Sequence, residues 1–193
     1  IEIMSSIDRS KLYDDAAFAR YALVYSEALY YGQVNVNQDT LTRPMIDYYL
    51  GSKNHAERAR AFYQHALVLS RMDEYPEAML SLMTAEESLA KSPNHRLAGL
   101  VCRNKGSIYG ADCLFENSYA EHKKSIDHFT KAGLEEHRAF AVYDMADALA
   151  NLHRYEEAER YFLESFDYAI EFDNKHMLCG IMHGLCDIYI SMD

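Results

Sequence analysis

The sequence predicts an all-α solenoid, a stack of antiparallel helix hairpins, and two observations support this prediction. Residues that break helices are rare, since the 193 residues include only 8 glycines and 3 prolines, below the average frequencies of about 7% and 5%. A spaced pattern of large and small side chains also returns every 40 residues, beginning at Phe62, Cys102, Val142 and Met182. A fixed period of this length is typical of one helical unit repeated in tandem.

Each copy of the pattern predicts the first helix of a hairpin. Its members follow the first residue by 3, 4 and 7 positions, so they share one face of a helix. The member at the fourth position is small, which lets a neighbouring backbone come close. These small residues are Ala66, Gly106, Ala146 and Cys186.

An aromatic residue followed three positions later by a small one predicts the second helix of each hairpin. The pairs are Tyr75 with Ala78, Phe115 with Ser118, and Tyr155 with Ala158. Together the signals predict nine helices and no strands. We expect the helices over residues 11–31, 43–50, 54–71, 75–91, 95–111, 116–132, 134–152, 155–172 and 175–191.

Local residue types set the expected ends of these helices. Asp73 is the expected N-cap of the helix over 75–91, and Ser92 before Pro93 ends that helix, because a residue before proline avoids the α region. Gly133 and the pair Asp173–Asn174 are expected to end two later helices.

The repeats predict a single domain. It comprises an atypical N-terminal repeat over 1–53 with a loop over 35–39, repeats over 54–93, 94–133 and 134–173, and the first helix of a further repeat over 174–193. An atypical terminal repeat is expected in a solenoid. Because half a hairpin leaves an apolar face uncovered, we expect the chain to be a fragment of a longer protein. Stacking of the terminal hairpins would also allow a homodimer.

Composition excludes several classes of protein. With 49% hydrophobic and 25% charged residues the chain is not disordered, and no stretch of 18 residues lacks a charged side chain, so no transmembrane segment is expected. The net charge of −11 repels phosphate backbones, which argues against contact with nucleic acid. The four cysteines, at 102, 113, 179 and 186, contain no CxxC pair and are expected to be buried thiols.

The repeated residues resemble the motif of the tetratricopeptide repeat (TPR) family, in a variant with a period of 40. The best matches are Phe62, Ala66, Leu69, Tyr75, Ala78, Leu82 and Ala85, and Val142, Met145, Ala146, Leu149, Tyr155, Ala158 and Phe162. The repeat between them departs from the motif at Cys102, Lys105, Ser118 and His122. The resemblance implies a right-handed superhelix that binds protein or peptide partners on its concave surface. It implies neither catalysis nor a cofactor.

The N-terminal third also resembles TPR proteins of Bacteroidetes. The residues concerned are Ser6–Ile7–Asp8, Ala19 to Leu23, and Asp47–Tyr48–Tyr49. This resemblance implies a periplasmic or membrane-anchored parent protein with a regulatory module, although a cytoplasmic location stays open.

No motif for an enzyme is present. The chain lacks the glycine-rich phosphate loops, the nucleophile elbow and the HExxH zinc motif, so we expect no catalytic residues and no cofactor. The adjacent glutamates at 86–87, 135–136 and 156–157 are expected on solvated faces. One stripe of metal-ligating residue types remains, formed by His176, Cys179, His183 and Cys186. A single straight helix brings few of these side chains to one ion, so buried cysteines with ordinary histidines are the favoured interpretation.

The groove-facing positions that the TPR motif implies form the candidate binding site. They are Arg60, Tyr63, Arg71, Arg103, Asn104, Ser107, Phe140, Tyr143, Asp147, Asn151, His183 and Asp187. Arginine and tyrosine side chains suit an extended peptide or a carboxylate. The alternative is that the three arginines simply pair with acidic neighbours.

The sequence therefore predicts a non-catalytic scaffold that binds a protein or peptide, within a larger regulatory or envelope-associated protein. One alternative is a sensor domain that binds a peptide or small molecule in its groove. A second alternative is a metal-binding protein at the histidine and cysteine stripe.

Overall fold

The computed structural model describes residues 2, 6–7, 12, 14–32, 34 and 39–192. These residues form nine helices and no strand. The helices are α1 (Asp15–Tyr31), α2 (Thr42–Leu50), α3 (His55–Arg71), α4 (Tyr75–Lys91), α5 (His95–Ala111), α6 (Phe115–Ala132), α7 (Glu135–Asn151), α8 (Tyr155–Glu171) and α9 (Lys175–Met192). The all-α prediction is confirmed, and the predicted bounds of α2 to α9 are right to within one residue.

Helix α1 begins later than predicted, at Asp15 rather than at residue 11. The side chain of Asp14 accepts a hydrogen bond from the backbone N–H of Ala17 at 2.6 Å, and such a cap fixes where a helix starts. Residues 11 and 13 lie outside the described part of the chain, as do residues 35–38 of the predicted loop.

The chain divides into two compact units, Ile1–Asn94 and His95–Asp193. The first unit holds α1 to α4, and the second holds α5 to α9. Within each unit consecutive helices pack against each other as antiparallel pairs, most extensively α3 with α4 and α5 with α6.

One turn geometry recurs at the end of both first and second helices. The backbone N–H of Leu114 donates a hydrogen bond to the carbonyl of Tyr109 at 2.8 Å, and the backbone N–H of Arg154 donates one to the carbonyl of Leu149 at 3.0 Å. This six-to-one bond is the Schellman arrangement, which needs a left-handed residue just before its donor. Positive φ angles occur in these turns at Asp73, Cys113, Gly133, His153 and Asp173.

The turn explains why the predicted N-cap at Asp73 is wrong. Asp73 is the left-handed residue, with φ 60°, and Glu74 occupies the cap position without a side-chain hydrogen bond. The predicted ends are confirmed: α4 ends before Ser92, and α6 ends at the left-handed Gly133.

The expectation of four buried cysteines is wrong for three of them. Only Cys102 is buried, whereas Cys113, Cys179 and Cys186 are exposed. Cys113 lies in the left-handed turn between α5 and α6. Cys179 and Cys186 lie on the part of α9 that α7 and α8 leave uncovered.

Small residues set the close approach of α5 and α6. A Cβ atom on Gly106 would lie 2.6 to 2.9 Å from three ring atoms of His122, which is only 2% exposed. One on Gly99 would meet the buried ring of Phe129 at 2.6 Å. The departure from the motif at His122 is therefore accommodated by the absence of a side chain opposite it.

We predict that Gly106→Ala destabilises the second unit by about 1–3 kcal/mol, because the new methyl group overpacks the helix interface. Gly110→Ala is the matched control. Its Cβ would meet only the Oγ of Ser118, at 3.5 Å, so the helix propensity of alanine should leave stability equal or slightly higher. Urea unfolding of both variants checks this, and equal effects would contradict the packing account.

Polar pairs occupy the same two positions of successive hairpins. In the first unit Nδ1 of the buried His65 lies 2.9 Å from Oγ of Ser81. Forty residues later, in the second unit, Nζ of Lys105 lies 3.3 Å from Oε1 of Glu121, and both side chains are 8% exposed. The charge of Lys105, at a position that is apolar in the motif, is thus neutralised across the hairpin.

We predict that Lys105→Met destabilises the second unit by about 3 kcal/mol, because it leaves Glu121 buried with only the exposed Lys124 beside it. The double variant Lys105→Met/Glu121→Leu should regain most of that loss, since apolar groups replace a buried pair at little cost. Lys124→Met, which removes an exposed partner, should cost less than about 1 kcal/mol. Strictly additive losses in denaturant unfolding would refute the pairing.

Candidate ligand-binding cleft

Three residues of the predicted groove lie in the first unit, and their side chains are already engaged there. The guanidinium of Arg60 donates two hydrogen bonds to the carboxylate of Glu27, at 2.9 and 2.6 Å. The guanidinium of Arg71 lies over the ring of Tyr30, and Tyr63 is buried. Pairing with an acidic neighbour therefore holds for Arg60, whereas Arg71 contacts an aromatic ring.

In the second unit Arg103 is held between two groups of α7. Its Nε donates to Oδ2 of Asp144 at 2.5 Å, and its guanidinium lies 5.0 Å from the ring centroid of Phe140. Asn104 and Ser107 each donate a side-chain hydrogen bond to a backbone carbonyl of their own helix, at 2.9 and 3.1 Å. The positive charge of Arg103 is thus largely balanced within the protein.

An open cleft of about 480 Å³ lies between α5, α6 and α7. It is lined by Ser107, Gly110, Ala111, Phe115, Ser118, His122, Tyr143, Asp144, Asp147, Ala148 and Asn151. Four of the predicted groove residues, Ser107, Tyr143, Asp147 and Asn151, come together here. The lining contains two carboxylates and no lysine or arginine.

Sequence reasoning missed the wall that α6 supplies to this cleft. Phe115, Ser118 and His122 belong to the second helix of the hairpin, whereas the motif assigns the groove to first helices. The signal was present in the sequence, because His122 stands where the motif has an apolar residue and Gly106 stands 16 residues before it.

Asp147 carries an unbalanced charge at this cleft. Burial by the surrounding protein, followed by the nearby carboxylates of Asp144 and Asp187, raises its pKa, against a small opposing effect of His183. Its side chain still reaches solvent, and Nδ2 of Asn151 lies 3.5 Å from its Oδ2. Within the described residues no lysine or arginine forms an ion pair with Asp147.

His122 gives the cleft a buried polar group. Its side chain is 2% exposed, and burial lowers its pKa, so the ring is neutral at physiological pH. Its Nδ1 has no hydrogen-bond partner in the described part of the protein. The ring packs against Gly106 of α5, so this nitrogen is closed to solvent, and an orphan polar atom of this kind reduces stability.

The predicted residues of α9 do not line this cleft. Nε2 of His183 lies 3.6 Å from Oδ2 of Asp187, and both side chains are exposed. His176, Cys179 and Cys186 are exposed as well. Among the described residues no three histidine, cysteine or carboxylate side chains are grouped so as to hold a metal ion.

Comparison with known proteins supports the architecture. No family model and no curated protein matches the chain. A solved structure does: a signal transduction ATPase with numerous domains (a STAND protein) with a tetratricopeptide repeat sensor, from Pyrococcus horikoshii. The TM-score is 0.70 at 16% sequence identity, and the match covers 98% of this chain and 28% of that one.

The chain has a TPR-like fold. At this identity the likeness concerns the fold alone, and the chain spans little more than a quarter of the length of the matched protein. The predicted helical repeat architecture is confirmed, whereas the resemblance to Bacteroidetes proteins stays a prediction. None of the TPR-like helices that the structure describes has the length and apolar composition needed to cross a bilayer.

We predict that Asp147→Asn makes the TPR-like domain more stable at pH 7. Because the pKa of Asp147 is raised on folding, its ionised form opposes folding above that pKa, and the penalty disappears as the pH falls below the unfolded value of 3.8. The part of the gain that comes from repulsion by Asp144 and Asp187 should shrink at high salt, because salt screens charges that solvent can reach.

Denaturant unfolding of Asp147→Asn and of the unmodified protein at pH 7 and pH 3 measures the difference in their free energies of unfolding. Asp167→Asn, on the exposed side of α8 and outside the cleft, removes the same charge and is the control. A loss of stability in Asp147→Asn at pH 7 would show that the carboxylate is structural instead.

Proposed function

We propose that this chain is a non-catalytic module that binds a protein or peptide, as one part of a larger regulatory protein. The observation that carries the proposal is the open cleft of the second unit, in which hydrogen-bonding and aromatic side chains from three helices meet. Fold alone does not choose a ligand, so the ligand is inferred from the side chains that line this cleft.

The cleft suits one or two side chains of an extended segment. Its volume of about 480 Å³ falls within the range of sites that bind small ligands. Its open mouth leaves room for a backbone to continue past it. Ser107 and Asn151 offer a hydroxyl and an amide group at the rim, and Phe115 and the ring of Tyr143 offer apolar contacts. Such a mixture fixes the orientation of a peptide while allowing it to dissociate.

A ligand-sensing role is the second candidate. The likeness to a protein with a TPR sensor supports it, because that protein is a multidomain ATPase of which the match covers 28%. In a sensor, a ligand would shift the population of two conformations and so act on another part of the protein. A scaffold would bind its partner without such a shift.

Panning a phage-displayed library of random peptides against the chain tests the proposal. We expect enriched peptides that bind the unmodified chain and not Ser107→Trp, which places a large side chain over the cleft. Thr130→Trp, at an exposed position of α6 outside the lining, is the control and should bind normally. No enrichment, or equal binding to both variants, would refute the cleft as the binding surface.

The sensor candidate makes a different prediction for the same peptides. If the enriched peptides change hydrogen exchange only around α5, α6 and α7, the module acts as a scaffold. If protection also changes in helices that do not touch the cleft, the ligand alters the conformation of the domain, as a sensor requires.

A further inference from the structure

We infer that the cleft of the second unit recognises a cationic group, the ammonium or guanidinium of a basic side chain in the bound segment. This inference rests on the proposed function and names the chemistry of its ligand. It reverses the sequence-based expectation, in which the arginines of the groove favoured a carboxylate.

The charge of the cleft argues for a cation. Asp144 and Asp147 lie three residues apart on α7, so their side chains are neighbours on one face of the helix. Arg103 donates a hydrogen bond to Oδ2 of Asp144, and among the described residues no lysine or arginine forms an ion pair with Asp147. Asp147 is left beside a second carboxylate, with that of Asp187 also close enough to act on it. A positive group placed here removes repulsion that the free protein carries.

The hydrogen-bonding groups of the cleft also fit a cation, which has donors and no acceptors. The carboxylate of Asp147 and the hydroxyl oxygen of Ser107 can accept. His122 is neutral, so one of its ring nitrogens is an acceptor. Its Nδ1 is the buried atom that lacks a partner in the described part of the chain. The ring of His122 packs against Gly106, which closes Nδ1 to solvent. The acceptors open to a ligand are therefore those of Asp147 and Ser107.

The remaining wall is aromatic. Phe115 and Tyr143 line the cleft and are half-buried. Aromatic faces attract cations and also cover the aliphatic stem of a lysine or arginine. A metal ion would need three or more grouped ligands, which the described residues do not supply, and an anion would meet two carboxylates.

Titration by NMR with capped pentapeptides tests the inference. The peptides differ only at the central residue, which is lysine, its uncharged analogue norleucine, or glutamate. We expect the lysine peptide to give saturable shifts at the amides of residues 107, 144, 147 and 151. The norleucine peptide should bind at least tenfold more weakly, and the glutamate peptide not at all.

Two variants separate a specific site from the general attraction of an acidic protein. Asp147→Asn should lower the affinity for the lysine peptide at least tenfold. Asp167→Asn, which removes an equal charge outside the cleft, should leave that affinity unchanged. Equal weakening in both variants would show attraction by the net charge of −11 and would overturn the inference. Absence of saturable shifts with the lysine peptide would overturn it as well.

Free 1,5-diaminopentane distinguishes the source of the cation. If the diamine binds more weakly than the lysine peptide, the ligand is a basic side chain within a segment. If it binds equally well or more tightly, that assignment is overturned in favour of a small amine. If the norleucine peptide binds as well as the lysine peptide, peptide binding stands and cation recognition fails. If library panning enriches no peptide, the proposed function itself fails.

Discussion

The close approach of the two helices in each hairpin is the constraint on which the rest of the structure depends. In the second unit α5 and α6 meet where Gly106 leaves space for the ring of His122. The same contact that packs the hairpin therefore brings His122 to the wall of the cleft. Packing and the candidate site share this residue, so the sequence departs from the repeat motif here without weakening the core.

The carboxylates of the candidate cleft oppose the stability of the fold that carries them. Burial and the nearby carboxylates of Asp144 and Asp187 raise the pKa of Asp147, and among these three aspartates, within the described residues, only Asp144 has an arginine partner. The hydrophobic core beneath them, which includes Leu149, tolerates this repulsion. Groups that await a ligand commonly reduce stability in the free protein.

The helices of this protein could be predicted from the sequence because the signals that specify them are local and repeat. Offsets within a helix predicted the positions of α3 to α9, and Ser92 with Gly133 marked two ends. The left-handed conformation of Asp73 was missed, because aspartate is also a common N-cap and only the tertiary turn decides between the two roles. The sign of charge at the cleft was missed for a different reason: Arg103 pairs with Asp144, 41 residues later.

Pairs across a hairpin nevertheless leave a trace that a single sequence can show. His65 with Ser81, Lys105 with Glu121, and Gly106 with His122 are all separated by 16 residues. A departure from the motif at one position is matched by a change at the other. Of these six residues only His122 lines the cleft, so the pairs mainly record how the two helices of a hairpin pack. A fold can persist at 16% identity because it depends on the spacing of large and small residues and on such compensating pairs, while the residues that line a cleft are free to change.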